Sequence, residues 1–201
     1  MEIEKVVVGP LATNCYIVSE KNEAIVIDPG GEPEKIFSVL PTTNLTHIIL
    51  THAHPDHLGA LSALKNEFPK AKFLIHKGEL PILKSLHLKV KPDGFLNESK
   101  LETGNKQSLL LRNWNLEILH TPGHSPGGIC FKVGDFLFTG DTLFAEGVGR
   151  TDYPFSSQKD LIKSLKKLGK LPKDLKIYPG HGQSSTLHQA LGRLSGLLPG
   201  F

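Results

Sequence analysis

Seven consecutive residues, Thr51-His52-Ala53-His54-Pro55-Asp56-His57, constrain this chain more than any other stretch. Three imidazoles and a carboxylate fall between His52 and His57. They lie where an apolar run, His47-Ile48-Ile49-Leu50, gives way to Leu58-Gly59-Ala60-Leu61-Ser62-Ala63-Leu64, whose apolar spacing is helical. Core packing calls for no such density of ligand-type side chains. Neutral imidazole nitrogen and carboxylate oxygen form the donor set that suits Zn, Fe and Mn. The alternation of His52 and His54 fits an extended segment aiming both rings at one point. Asp56 and His57 then occupy the first turn of the next helix, where the competing use for Asp56 is a helix cap.

A half-site of this kind needs donors from elsewhere, and three polar residues sit just after strand-like runs. They are His124 after Thr121-Pro122-Gly123, Asp141 after Phe138-Thr139-Gly140, and His181 after Tyr178-Pro179-Gly180. The glycine before each lets the backbone turn sharply and lets a side chain approach a small ion. Together with the first stretch they make seven donors, enough for two metal ions if Asp141 bridges. His47, His76, His87, His120 and His188 have no comparable context. His76 ends a strand and is a candidate pocket residue, as are Tyr16 and Phe144.

The surrounding pattern predicts strands at residues 3–8, 14–19, 24–28, 46–51, 72–75, 107–112, 115–119, 128–133, 136–139 and 175–178. It predicts helices at 33–40, from His57 through Phe68, and at 78–85, 157–168 and 184–194. Residues 87–106 read as a long turn-rich segment and 147–155 as a loop. The order is roughly duplicated: strand-rich, donor stretch, helix, then the same again. No Gly-, Ser- or Pro-rich linker divides it, so residues 1–201 are expected to form a single α/β domain, two sheets face to face with helices outside.

Composition narrows the function. With 201 residues, 39% hydrophobic and 21% charged, the chain has the make-up of a soluble globular domain. A net charge of +3 gives no general pull toward nucleic acid or a membrane surface. The Lys-rich stretch 163–176 reads as a solvated amphipathic helix and turn. No apolar run approaches the ~20 residues of a membrane span, and the first residues lack signal-peptide regions. Cys15 and Cys130 read as two separate buried thiols of a cytoplasmic chain.

Four motifs in order, T-H-A-H-P-D-H, T-P-G-H, T-G-D-T-L-F and Y-P-G-H-G, within a span from Asp28 to His181, resemble the metallo-β-lactamase superfamily. The G-V-G-R-T-D run, Gly147 to Asp152, is similar to the glyoxalase II (hydroxyacylglutathione hydrolase) branch, in a short form without the C-terminal helical domain. The resemblance implies a four-layer αββα sandwich. It implies one metal ion on His52, His54 and His124, a second on Asp56, His57 and His181, and Asp141 bridging them. Asp56 is counted as the catalytic residue as well as a ligand, and Asp28 as a residue orienting a ligand. Zn is the first expectation, with Fe or Mn as alternatives.

The implied reaction is hydrolysis of a small-molecule thioester, such as a hydroxyacylglutathione, by a hydroxide bridging two ions. A thiolate, whose conjugate acid has a pKa of ~8.5, leaves without a strong general acid, whereas an amine does not. The rival branch is the persulfide dioxygenases, which resemble a mononuclear iron site on the equivalents of His52, His124 and Asp141. Tyr153-Pro154 stands where that branch has Phe-Gln. A non-catalytic metal-binding domain is a third reading, disfavoured because all seven donors are present. Arg150 and Asp152 are expected to form an ion pair that shapes the loop. No nucleic-acid or membrane partner is expected, and the sequence leaves the oligomeric state open.

Overall fold

The computed structural model describes residues 1–40, 44–96, 109–111 and 114–194, and the chain groups into two compact units, Met1–Leu96 and Asn97–Phe201. In the first unit, β1 (Glu2–Val8), β2 (Thr13–Glu20) and β3 (Glu23–Ile27) form an antiparallel meander. Helix α1 (Pro33–Val39) then carries the chain to β4 (Asn44–Ile49), which pairs parallel to β3. Helices α2 (Pro55–Leu58) and α3 (Leu61–Glu67) lead to β5 (Lys72–His76). A single 3₁₀ turn (Lys77–Glu79) and α4 (Leu80–Ser85) lead to β6 (Gly94–Leu96). The sheet order is β1-β2-β3-β4-β5-β6. Ile48, Phe73, Ile75, Leu61 and Leu64 are buried in its core. The continuous apolar run Ala24–Ile27 of β3, buried throughout, is that of a strand covered on both faces.

The second unit runs β7 (Leu109–Leu111), β8 (Trp114–His120), β9 (Ile129–Val133) and β10 (Phe136–Gly140) as antiparallel neighbours. Helix α5 (Gln158–Leu168) crosses to β11 (Lys176–Pro179), parallel to β10, and β12 (Ser185–Thr186) closes the sheet before α6 (Leu187–Leu194). The Ser157 hydroxyl caps α5 by accepting from the Asp160 amide at 3.2 Å. The helix buries Leu161, Leu165 and Leu168 against Leu119, Leu137 and Ile177; each is worth about 2 kcal/mol by area before the entropy of ordering it. Its opposite face carries the lysines, as expected of a solvated stripe, although the Lys167 ammonium donates to the His120 carbonyl at 2.7 Å.

Three boundaries differ from the sequence pattern. The helix expected to open at His57 starts at Pro55, a residue suited to a first turn. It breaks at Gly59-Ala60, where the Ala60 amide donates to the Pro29 carbonyl at 2.9 Å instead of continuing the ladder. Within the turn-rich segment 87–106, β6 adds a strand to β5, anchored by the Asp93 carboxylate, which accepts from the Phe73 amide at 2.7 Å and lies 3.0 Å from the Lys65 ammonium. Residues 97–106 of that segment, and 107–108 and 112 of the predicted strand 107–112, lie outside the described residues. The expected helix 184–194 is shorter because Ser185–Thr186 pairs with β11 first. Both cysteines are free and buried, and burial pushes the Cys130 thiol up to about 11, so neither is a reactive thiolate. Among the described residues no helix is long and apolar enough to cross a membrane.

Candidate metal centre

The donors of the first unit gather where β4 ends. The Leu50 amide still donates to the Leu74 carbonyl at 3.1 Å, and the chain then leaves the sheet as an extended segment. His54, in β conformation (φ −68°, ψ 146°), is the N-cap residue of α2, and its carbonyl accepts from the His57 amide at 2.9 Å. No side chain caps α2, so Asp56 does not serve as a cap. The His52 ring lies 4.8 Å from that of His54 and 4.1 Å from that of His57, centroid to centroid. Asp56 Oδ2 lies 3.5 Å from His57 Nε2 and accepts from the Thr13 hydroxyl at 3.2 Å.

Asp28 organises this cluster from below. It follows β3 in a left-handed conformation (φ 50°) and is buried. Its Oδ1 accepts from the Thr51 amide at 2.7 Å and its Oδ2 from the Thr51 hydroxyl at 2.6 Å. With its proton committed to Asp28, Thr51 Oγ1 can only accept from His52 Nδ1, 3.1 Å away. His57 Nδ1 lies 3.0 Å from Asp28 Oδ2. His52 therefore carries its proton on Nδ1 and presents the Nε2 lone pair, and the Asp28 carboxylate beside His57 Nδ1 stands where an outer carboxylate orients metal-binding histidines. A second buried carboxylate, Glu79, accepts from the Ala53 amide at 2.8 Å and fixes the backbone between His52 and His54. Asp28→Asn preserves size and tolerates the left-handed backbone. Its expected effect is a 10–100-fold weaker metal affinity, roughly that of losing an outer-shell partner, read by competition with a chromogenic chelator. An unchanged affinity would remove Asp28 from this role.

The second unit gathers the other three donors at the ends of its strands. Gly123 and Gly140 take positive φ (147° and 47°), so the turns before His124 and Asp141 do require glycine, whereas Gly180 does not. His124 Nδ1 lies 2.7 Å from the Arg150 carbonyl and donates to it, again leaving Nε2 as the free lone pair. Asp141 Oδ2 lies 3.5 Å from His124 Nε2 and 3.5 Å from His181 Nε2. Phe144 meets the His181 ring edge-on at 5.9 Å.

These spacings test the fit of a metal. Donors about 2.1 Å from a tetrahedral ion stand roughly 3.4 Å apart, whereas a charge-assisted hydrogen bond draws N and O to about 2.7–2.9 Å. The Asp56–His57, Asp141–His124 and Asp141–His181 pairs all stand at 3.5 Å. The donor set thus has the chemistry and the separations that a divalent cation requires.

Glu79, Thr13 and the Arg150 carbonyl have no signal in the sequence pattern, and Thr51 stands in the opening stretch without a role assigned to it. The expected ion pair is present: Arg150 Nε and Nη2 reach Asp152 Oδ1 and Oδ2 at 2.9 and 2.6 Å. Both side chains are largely exposed, and the pair raises the Arg150 pKa while it lowers that of Asp152. His76 is buried, and its Nδ1 accepts from the Gly78 amide at 3.1 Å. Tyr16 is buried as well.

Comparison with known proteins gives the family and the fold. A model of the metallo-beta-lactamase superfamily matches residues 8–181. Hydroxyacylglutathione hydrolase GloC of Haemophilus influenzae is 39% identical over 94% of this chain and 94% of its own. The crystal structure of BLEG-1 B3 metallo-beta-lactamase superposes with a TM-score of 0.83 at 31% identity, covering 95% of this chain and 97% of that one. TTHA1623, solved in a di-iron-bound form, matches with a TM-score of 0.78 at 34% identity over 98% of each chain. The two mixed sheets with their helices are accordingly those of an αββα sandwich. By motif, fold and sequence, the chain belongs to the metallo-β-lactamase superfamily.

Proposed function

We propose that this chain is a metal-dependent hydrolase of thioesters of the hydroxyacylglutathione type. In this reading His52, His54 and His124 hold one divalent ion, Asp56, His57 and His181 hold a second, and Asp141 is shared. The observation that carries it is Asp141 Oδ2, which stands 3.5 Å from two imidazole nitrogens whose histidines follow different strands. A carboxylate oxygen so placed suits two cations better than one. The identity to GloC supports the substrate class. The donor set accepts Zn, Fe or Mn, and the di-iron form of TTHA1623 supports iron beside zinc.

When bound, two such ions supply a water that ionises near neutrality and a Lewis acid for the carbonyl oxygen. The protein supplies the orientation. Thr51 holds the Nδ1 proton of His52 and the Arg150 carbonyl that of His124, while the Asp28 carboxylate stands 3.0 Å from His57 Nδ1. The Thr13 hydroxyl steers Asp56, the catalytic carboxylate of this proposal. A thiolate leaves unaided at neutral pH, so the site needs no strong acid for the leaving group.

The test combines metal content per chain with turnover of lactoylglutathione, beside oxygen uptake on glutathione persulfide. Two ions and thioester cleavage are the expected result. One iron with oxygen consumption would replace the proposal with a persulfide dioxygenase. Absence of turnover on both substrates would leave a non-catalytic metal-binding domain.

A further inference from the structure

Helix α5 draws inward two polar side chains that its amphipathic pattern does not call for. Ser164 shares the packed face with Leu161, Leu165 and Leu168 and is only 2% exposed. Lys167 is partly buried, unlike the exposed Lys163 and Lys166 near it. Both reach the same short segment, the one that leaves β8 and ends at His124. The Ser164 hydroxyl donates to the Pro122 carbonyl at 2.7 Å. The Lys167 ammonium donates to the His120 carbonyl at 2.7 Å. The amide of Ser157, the residue that caps α5, donates to the Gly123 carbonyl at 2.7 Å. The carbonyls of His120, Pro122 and Gly123 are thus held by one helix and its cap. Gly123 also lies directly on the helix backbone, since a Cβ there would stand 2.4 Å from Cα and N of Leu161.

Ser157, Leu161, Ser164 and Lys167 follow one another at helical spacing, so these contacts form a row along one edge of α5. A buried hydroxyl costs stability unless it is paired, and a lysine drawn toward the core gives up hydration. Neither adds the apolar area that an aliphatic residue would. What they hold accounts for them. The rest of the turn is closed by its own bonds. The Thr121 amide donates to the Gly128 carbonyl at 2.8 Å, the Gly123 amide to the Ser125 carbonyl at 3.0 Å and His120 Nε2 to the Pro126 carbonyl at 3.1 Å. His124 leaves this turn with Nδ1 committed to the Arg150 carbonyl. We infer that Ser164 and Lys167 are positioning residues for His124, because their hydrogen bonds to the Pro122 and His120 carbonyls hold the turn that presents its imidazole. The inference rests on His124 being a metal ligand. It applies to the two-ion hydrolase and equally to a single ion on His52, His124 and Asp141.

The test measures metal affinity of the full-length protein by chelator competition, with Co(II) as the probe ion because its visible absorption reports coordination geometry. Ser164→Ala and Lys167→Met are each expected to weaken one bound ion about three- to tenfold, the worth of one hydrogen bond, and to change the Co(II) spectrum. The same loss should appear in the His181→Ala background, which lacks a donor of the other proposed ion. Lys167→Arg keeps a donor and should bind as the wild type does, as should Lys166→Met. Leu168→Ala separates positioning from general loosening of the helix. It opens a cavity on the same face, should lower the Tm more than Ser164→Ala does, and removes none of the three hydrogen bonds. Its metal affinity should stay within about twofold of the wild type. Unchanged affinity and spectrum in both Ser164→Ala and Lys167→Met overturn the inference, and so does an equal loss in Leu168→Ala. A wild type that takes up no Co(II) overturns it together with the metal assignment. A wild type that holds one ion and consumes oxygen loses the proposed hydrolase, while the pattern among these variants still decides the role of Ser164 and Lys167.

Discussion

Asp141→Ala is expected to take the metal content from two ions per chain to none, and thioester turnover down at least about a thousandfold. The Lewis-acid contribution of bound metal is several kcal/mol, and each 1.36 kcal/mol is a factor of ten. The expectation follows from one atom: Asp141 Oδ2 stands 3.5 Å from Nε2 of both His124 and His181. Each proposed ion would lose a ligand at once, and alanine offers no replacement donor. The residue is buried but follows a strand end rather than filling the apolar core, so the far-ultraviolet circular dichroism should stay that of the wild type. His181→Ala is the contrast. It should empty only the proposed second position and leave one ion per chain while still abolishing hydrolysis. A mononuclear site built on His52, His124 and Asp141 would scarcely respond to that change. Full metal content in Asp141→Ala would end the two-ion assignment.

What could be read from the sequence was whatever is encoded locally. The His52–His54 alternation needs only a two-residue period, and the glycines before His124 and Asp141 announce turns that the positive φ angles then require. The strands were legible for the same reason, since apolar runs such as Ile48-Ile49-Leu50 are bounded by turn residues. What escaped depends on contacts between distant residues. Glu79 precedes Leu80-Pro81-Ile82-Leu83 and reads as a surface charge at a helix start. Only the fold shows its carboxylate buried on the Ala53 amide. The partner of His124 Nδ1 is a backbone carbonyl, which has no side-chain signature, so the Arg150 side chain drew attention instead. The break between α2 and α3 was hidden because Gly59-Ala60 interrupts no hydrophobic period. Its cause lies in Pro29, some thirty residues earlier.

The same carbonyl contact makes Gly149 the position where a single methyl group should do most damage. The Gly149 amide donates to the Asp141 carbonyl at 2.9 Å, which ties the loop to the proposed bridging residue, and the next residue supplies the carbonyl for His124. A Cβ at 149 would stand 2.1 Å from the Asp141 carbonyl oxygen and 2.8 Å from Cγ and Nδ1 of the His124 ring. The φ of Gly149 is not positive, so the obstacle is space and not backbone conformation. Neither neighbour can yield freely, because one is backbone and the other is an imidazole held at Nδ1. Gly149→Ala should therefore move the loop away, release His124 and shift Asp141. Overpacking costs about 1–3 kcal/mol of stability, and a displacement of about 1 Å at a reacting centre costs about a hundredfold in rate. The expected result is a lower Tm, weaker metal binding and turnover down about a hundredfold. Gly147→Ala supplies the control, since a Cβ there meets nothing within 4 Å. If both substitutions slowed turnover equally, loss of loop flexibility would explain the effect. A large effect at Gly149 alone makes the contact with Asp141 and His124 its cause.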